Sequence, residues 1–313
     1  MILTGIDEAA LGPNLGPFCA VSISFHLKEH GDKPPNLYTK LKSVVSSETG
    51  VPHRLPVGDS KKLYNPRTGL STLERSVTAF LTAAGVALPC SLASLLRAIC
   101  PLQIDPITTG RTPWMSGWEE VMIPAPPDDG VCAKLIRLLE KQNIQLARPQ
   151  ARFVPASLFN DELDAHQGKA GALRSIISPL LAPALLQEEH QRHVTVDRQG
   201  GRRYYGEWLM ELMPGAPLRS VEEGPKRSAY NAGNTYVSFL VGADAQYLEV
   251  ALASMMAKYL RERAMELFNR YWQKQLPGLK ATAGYPTDAK RFLAALEEAQ
   301  LMPEKKAFLV RRL

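Results

Sequence analysis

An acidic pair, Asp7-Glu8, stands directly after the short apolar run that begins at Met1. Repulsion between neighbouring carboxylates disfavours the ionisation of both unless a cation or a basic group lies beside them. A loop rich in glycine and proline follows, and a second apolar run begins at Phe18. This order predicts a β-hairpin that presents both carboxylates at the end of a sheet, where they would suit Mg²⁺ or Mn²⁺ better than Zn²⁺. The alternative is an acidic turn that binds no ion.

Two more aspartates follow β-like sequence much further along the chain. Asp197 ends the run that begins at His193, and Asp244 comes shortly after the run 235–241. Carboxylates that end strands of one sheet meet at its edge even when they are distant in sequence. Four carboxylates are typical of sites that hold two divalent cations about 3.5–4 Å apart. From the residues alone, the simpler interpretation is that Asp197 caps a strand and Asp244 caps the following helix.

Five blocks of the chain, in the same order, resemble the motifs of type 2 ribonucleases H, the ribonuclease HII family. The blocks are Gly5-Ile6-Asp7-Glu8-Ala9 with Gly12-Pro13 and Gly16-Pro17, then Asp59-Ser60-Lys61-Lys62-Leu63, Val194-Thr195-Val196-Asp197-Arg198, Ala243-Asp244-Ala245 with 253–262, and Gly284-Tyr285-Pro286-Thr287. The resemblance implies an α/β fold, in which an RNase H-like mixed β-sheet is flanked by helices, with an inserted region and a helical C-terminal part. It also implies a metal-dependent endonuclease that hydrolyses the RNA strand of RNA–DNA hybrids by a two-metal mechanism.

The resemblance further implies roles for individual residues. The catalytic residues and ligands of two cations, Mg²⁺ or Mn²⁺, would be Asp7, Glu8, Asp197 and Asp244. The residues that contact the substrate would be Gly12, Ser60, Lys61, Lys62, Arg198, Ser254, Lys258 and Tyr285. Phosphate contacts from lysine and arginine give affinity and salt dependence with little sequence information. Arg261, three residues after Lys258, would extend this basic track on the same helical face.

The first block departs from the family pattern in the loop that approaches the ribose. The family's Gly-Arg-Gly is Ala10-Leu11-Gly12 here, which removes a close backbone approach and a cation. The lysine before the fourth acidic residue is absent, and the final Arg-Asp is Arg261-Glu262. The metal ligands are thus retained, whereas the element that distinguishes RNA from DNA is altered. The basic glycine loop 198–203 is a candidate to supply phosphate contacts in its place.

These departures leave two alternative functions open. One is a nuclease of RNase H fold that acts on DNA or structured nucleic acid, with the inserted region as its recognition element. The other is a non-catalytic nucleic-acid-binding protein, which would bind hybrids with strong salt dependence and no turnover. The four retained acidic residues oppose the second alternative, because clustered negative charge does not help a protein bind phosphate.

The composition is that of a soluble globular protein with a polyanionic partner. The chain has 313 residues, 45% hydrophobic and 22% charged, and a net charge of +6, which favours nucleic acid as a partner. Four cysteines without a C-x-x-C pair predict reduced, mostly buried thiols. No signal peptide or membrane span is evident, so we expect a cytoplasmic protein without a membrane partner. The sequence does not predict the oligomeric state.

The spacing of the blocks predicts how the chain is organised. The family needs far less chain between the second and third blocks, and the extra part is rich in proline and tryptophan. We therefore predict a first part of the core at 1–89, an insertion or subdomain at 90–156, and the second part of the core with C-terminal helices at 157–313. Apolar periodicity predicts helices over 66–85, 131–142, 157–189, 246–276 and 288–300.

Overall fold

The computed structural model describes residues 1–28, 33–64, 69–100, 111–186 and 190–312. The strands are β1 (Ile2–Ala9), β2 (Phe18–Leu27), β3 (Val45–Ser46), β4 (Leu55–Pro56), β5 (Cys90–Ser91), β6 (Met122–Ile123), β7 (Ile144–Leu146), β8 (Gln150–Val154), β9 (Arg192–Asp197), β10 (Leu218–Glu223), β11 (Arg227–Ala232) and β12 (Thr235–Leu240). The helices are α1 (Leu37–Leu41), α2 (Ser60–Leu63), α3 (Ser71–Ala83), α4 (Leu92–Ile99), α5 (Val131–Lys141), α6 (Ala156–Ala165), α7 (Lys169–Leu185), α8 (Gly206–Leu212), α9 (Leu248–Gln275), α10 (Pro286–Glu298) and α11 (Lys306–Leu309). Within these ranges no helix is both long and apolar enough to cross a membrane.

One mixed sheet forms the centre of the fold, in the order β10-β11-β12-β9-β1-β2-β7, with β8 also paired to β2. The predicted hairpin is present, since β1 and β2 are antiparallel neighbours. Strand β1 runs parallel to β9, and β9 runs parallel to β12. Ile6 lies opposite Val196, so the next residues of the two strands, Asp7 and Asp197, lie side by side where the pairing of β1 with β9 ends. The predicted α/β fold with a mixed, helix-flanked sheet is confirmed.

The two faces of the sheet bury separate hydrophobic clusters. Side chains alternate along β9, so that Val194 and Val196 join a cluster with α7 and α8. The opposite face of β1 and β2 joins a larger cluster with α9, α3 and α5. Met255 and Trp272 of α9 are buried there, as the periodicity of the sequence predicts. Helices therefore pack on both faces of the sheet, and the end of β1 that carries Asp7 is held in one position.

The N-terminal turns of α9 lie against β1 because residue 5 is glycine. A Cβ on Gly5 would lie 2.3 Å from the carbonyl carbon of Glu249, far inside van der Waals contact. This close approach fixes the register between the helix and the strand. It places Ser254 and Lys258 of α9 beside the end of β1 and its acidic pair.

Several predicted element boundaries were wrong. The predicted helix 157–189 is two helices, α6 and α7, divided where Gln167 and Gly168 have positive φ. Pro179 and Pro183 lie inside α7 and do not end it, because the buried face continues on both sides and its burial outweighs the lost hydrogen bonds. The last long helix begins at Pro286, two residues before the predicted start, and Asp288 in its first turn accepts hydrogen bonds from Thr282 Oγ1 and the Ala283 N–H.

The segment predicted as an insertion or subdomain, 90–156, packs on the same core as its neighbours. Residues 101–110 of this segment lie outside the described residues. In the rest, β7 and β8 pair with β2, and the Trp114 ring lies 5.4 Å from Phe268 and 6.3 Å from Trp272, centroid to centroid. All four cysteines are free thiols, two of them fully buried. The division into domains stays a prediction.

Candidate active site

A cavity of about 660 Å³ opens at the edge where β1, β9 and β12 end. All four acidic residues singled out in the sequence line it: Asp7, Glu8, Asp197 and Asp244. The proposed substrate contacts that line it are Gly12, Ser60, Lys61, Arg198, Ser254, Lys258 and Tyr285. Lys62, the remaining residue of the set, is exposed to solvent and is not part of the lining. The fold therefore brings together residues that are up to 278 positions apart (285 minus 7) in the chain.

Hydrogen bonds hold the carboxylates of Asp7, Glu8 and Asp197. Asp7 Oδ1 accepts the Glu8 N–H at 2.6 Å, and Glu8 Oε2 accepts the Gln199 side-chain amide at 3.1 Å. Asp197 Oδ1 accepts the Ala243 N–H at 2.7 Å. The last bond joins the end of β9 to the turn that carries Asp244. Gln199 was not predicted from the sequence, because a glutamine beside a ligand motif carries no signal of its own.

The cavity raises the pKa values of all four acidic groups. Burial raises the pKa of Asp7 well above its ordinary value, and repulsion from Glu8 and Asp197 adds to the effect. Burial likewise raises the pKa of Glu8 to about 7 and that of Asp197 to about 6. The pKa of Asp244 is raised by burial and then by Asp59. Such a set binds protons or cations more strongly than isolated carboxylates do.

One lysine opposes this accumulation of negative charge. The Lys61 ammonium lowers the pKa values of Glu8, Asp197 and Asp244, although less than burial raises them. Its position follows from the Asp59 side chain, which accepts the Lys61 N–H at 2.9 Å and so begins the short helix α2. Ser60 of the same helix lies 3.0 Å from Ser254 of α9, hydroxyl to hydroxyl. These contacts join the second sequence block to the fourth.

The donor set fits a hard divalent cation in its chemistry, since it consists of carboxylate and hydroxyl oxygens. In the described part of the chain, however, no group of three or more His, Cys, Asp or Glu side chains is arranged so that it could hold an ion. One carboxylate oxygen of each of Asp7, Glu8 and Asp197 accepts a hydrogen bond given above.

Two arginines predicted to contact phosphate instead donate hydrogen bonds to groups within the protein. Arg198 is buried and donates to the carbonyls of Pro225 and Gly224 and to Ser228 Oγ. Arg261 is also buried and donates to the carbonyls of Leu15, Pro17 and Ala283. We therefore remove both from the predicted phosphate contacts. A sequence gives the charge of a guanidinium group but not the direction in which it points.

Lys258 keeps its place in the cavity but has an acidic partner. Its ammonium lies 3.1 Å from Glu262 Oε1, one turn further along α9, and 4.3 Å from the centroid of the Tyr64 ring. Glu262 is the residue that stands where the family motif has aspartate. A phosphate that approached Lys258 would compete with this half-buried ion pair.

The C-terminal part of the chain matches a known family. Residues 220–313 fit the family model described as Ribonuclease HII. This part of the chain is ribonuclease HII-like. The resemblance is thereby confirmed, and the matched range contains the fourth and fifth sequence blocks, with Asp244 and Tyr285. No curated protein matches the chain.

Several solved structures of ribonucleases H are similar to this chain at low identity. The complex of PCNA with ribonuclease HII from Archaeoglobus fulgidus is 14% identical, over 99% of this chain and 94% of that one, with a TM-score of 0.42. Ribonuclease H2 from Pyrococcus horikoshii OT3 is 14% identical, over 100% and 93%, with a TM-score of 0.41. Bst-RNase HIII in complex with Mn²⁺ is 13% identical, over 100% and 66%, with a TM-score of 0.40. Likenesses of this size carry no argument about activity.

The loop that replaces Gly-Arg-Gly of the ribonuclease HII motif keeps a left-handed turn. Ala10, which stands where the motif has its first glycine, has a φ of 76°, although this conformation is strained for a residue with a Cβ. Its carbonyl accepts a hydrogen bond of 2.6 Å from the buried Arg311, which also donates to the Pro13 carbonyl. Nothing in the basic C-terminal tail predicted that Arg311 would hold this loop.

The ribonuclease HII motif Gly284-Tyr285 docks on the same loop. The Gly284 carbonyl accepts the N–H groups of Asn14 and Leu15, at 2.8 and 3.2 Å. A Cβ on Gly284 would lie 2.5 Å from the Leu15 carbonyl oxygen, so only glycine permits this contact. The Tyr285 side chain is 53% exposed and lines the cavity. Its ring is therefore accessible from the cavity and is not packed away against α10.

Proposed function

We propose that this protein is a metal-dependent endonuclease of the ribonuclease H type, which hydrolyses the RNA strand of RNA–DNA hybrids with two divalent cations, Mg²⁺ or Mn²⁺. The observation that carries the proposal is that Asp7, Glu8, Asp197 and Asp244 line one cavity at a sheet edge. The ribonuclease HII match over 220–313 supports the same class of enzyme.

The four carboxylates that line the cavity would hold the cations. Bound there, the cations would supply an activated water molecule and stabilisation of the leaving oxygen of the scissile phosphodiester. Lys61 stands next to the carboxylates and would bind the phosphate that approaches them. The joined hydroxyls of Ser60 and Ser254 would fix the neighbouring backbone of the substrate strand.

The loop at Ala10 supports a substrate that contains ribose. Because Ala10 keeps the left-handed conformation, the backbone of the loop follows the turn for which glycine is suited. Gly12 in the same loop has open space where a Cβ would stand, so a sugar can approach its backbone. The exposed ring of Tyr285 faces the same cavity and offers a surface on which a sugar can stack.

A second candidate function is a nuclease that acts on DNA or structured nucleic acid. The observation that favours it is Leu11, a half-buried apolar residue at the cavity wall where the family motif has arginine. Without that cation the loop has less affinity for a phosphate beside the ribose. A non-catalytic binding protein is the weaker alternative, because the cavity concentrates four carboxylates.

The experiment compares four labelled duplexes in Mg²⁺ or Mn²⁺: an RNA–DNA hybrid, DNA with one embedded ribonucleotide, all-DNA and all-RNA. We expect cleavage of strands that contain ribonucleotides and none of all-DNA. The Asp197→Asn variant controls for contaminating nuclease and should be inactive. Cleavage of all-DNA would instead support the second candidate, and salt-dependent binding without cleavage would contradict both enzymatic functions.

A further inference from the structure

A second cavity, of about 440 Å³, lies further back along the sheet, behind the acidic one. Strands β1, β9 and β12 form its floor, and the N-terminal end of α9 and the segment 34–37 form its walls. It shares no lining residue with the acidic cavity. On β9, Thr195 lines the second cavity and Asp197, two residues later on the same face, lines the first. The two cavities are therefore neighbours with separate walls.

A buried carboxylate without a cationic partner lies in the wall of this second cavity. Glu249, in the first turn of α9, is only 6% exposed. Among the described residues no basic group forms an ion pair with it, and the contact that favours its charged form is with its own backbone N–H. Gly5 fixes this turn of the helix against β1, so the carboxylate is held at this depth. An unpaired buried charge is costly, and a ligand in the cavity would remove that cost.

Several polar side chains lie on the sheet side of the lining. The hydroxyls of Thr195 and Ser238 lie on the floor, and His193 has a buried Nε2 atom without a hydrogen-bond partner among the described residues. Arg227 lines the same cavity. Its guanidinium is bonded to the Tyr236 hydroxyl and lies 3.7 Å from Glu222, and its side chain is 41% exposed. The cavity thus has a carboxylate in its buried wall and a guanidinium that reaches solvent.

We propose that this cavity binds a small molecule whose amidine-type edge faces Glu249 and whose anionic group faces Arg227. An amidine-type edge presents two parallel N–H donors, which match the two oxygens of a carboxylate. The guanine base of a mononucleotide and the guanidinium group of free arginine both carry that edge, and both molecules also carry an anionic group. A volume of about 440 Å³ lies in the range of sites for ligands of this size.

The test measures binding to the full chain by isothermal titration calorimetry with four probes in two matched pairs. GMP is compared with AMP, whose base lacks the paired donors, and arginine is compared with citrulline, in which a urea replaces the guanidinium. We expect GMP, arginine or both to bind at least about tenfold more tightly than the matched probe. A preference in one pair alone identifies the source of the edge, and a preference in both supports the shared chemistry.

Two variants and a control assign the binding to this cavity. Glu249→Gln should weaken the preferred probe at least about tenfold, whereas Glu298→Gln, on an exposed part of α10, should not. Arg227→Gln should weaken GMP more than guanosine, because only GMP carries the phosphate. The proposal is overturned if matched probes bind equally, if Glu249→Gln binds as tightly as the unchanged protein, or if no probe binds up to about 10 mM. Circular dichroism of each variant excludes misfolding as the cause.

Discussion

Replacement of the buried Glu249 by glutamine should stabilise the protein, and the gain should grow with pH. Burial raises the pKa of Glu249 from 4.5 to about 7. The folded state therefore binds a proton more tightly than the unfolded state does. The stability that this proton contributes is fully present below about pH 4.5 and is lost as the pH rises through about 7.

The magnitude follows from these two pKa values. At 1.36 kcal/mol per pKa unit, the interval from 4.5 to about 7 corresponds to a full penalty of about 3 kcal/mol. The penalty is about 1 kcal/mol at about pH 5 and about 3 kcal/mol at about pH 8. Glutamine has nearly the same shape and no charge, so its other effects on packing do not change with pH. The stability difference between the two proteins should therefore grow by about 2 kcal/mol between these two pH values.

Urea denaturation at about pH 5 and about pH 8 measures this difference directly. The acidic groups of the other cavity also titrate in this range, but they are present in both proteins and cancel in the comparison. Glu298→Gln, at an exposed site, is the matched control and should show no growth of the difference. A Glu249→Gln protein that gains less than about 1 kcal/mol between the two pH values would show that Glu249 is hydrated or paired.

Three further predictions concern the parts that hold the candidate active site. Gly5→Ala should lower the free energy of unfolding by more than about 2 kcal/mol, because the new Cβ meets the backbone of α9. Gly201→Ala is the control, since its Cβ meets nothing within 4 Å, and it should change the free energy of unfolding far less. Equal urea midpoints for the two variants would refute the close packing of α9 on β1. Arg311→Met should lower the free energy of unfolding by about 2 kcal/mol and slow cleavage, because the Ala10 and Pro13 carbonyls lose their donor. Arg312→Met, at the more exposed neighbouring residue, should leave cleavage unchanged. Equal cleavage by both variants would contradict the role of Arg311. Mn²⁺ binding should strengthen between about pH 6 and pH 8 and release protons, since burial raises the pKa of Glu8 to about 7. Calorimetric titration in buffers of different ionisation enthalpy measures the proton release. A Mn²⁺ affinity that does not change with pH would contradict this prediction.

Elements with a simple burial pattern were predictable from the sequence. The hairpin of β1 and β2 follows from two mostly apolar runs around a glycine-rich loop, and α9 follows from its long apolar face. The edge strand β10 was missed, because its residues are mostly exposed and half of its sequence is charged. The boundary between α6 and α7 was missed, because the apolar periodicity continues across the turn at Gln167 and Gly168.

The acidic residues of the candidate site could be located from the sequence, but their surroundings could not. The apolar runs that lead into Asp7 and Asp197 predict that both carboxylates lie near strand ends of one sheet. The directions of the Arg198 and Arg261 guanidinium groups depend on carbonyls that are brought near only by the fold. The roles of Arg311 and Glu249 are of the same kind, because each depends on a contact with a segment more than 200 positions away.

The most direct test of the central claim is a titration of the protein with Mn²⁺ at about pH 7.5, followed by isothermal titration calorimetry. The unchanged chain should bind two ions, and the Asp7→Asn and Asp197→Asn variants should each lose at least one of them. Asp59→Asn removes a carboxylate that lines the same cavity but begins α2, and it should retain both ions. Unchanged Mn²⁺ binding in both Asp7→Asn and Asp197→Asn would contradict the assignment of these carboxylates as a metal site.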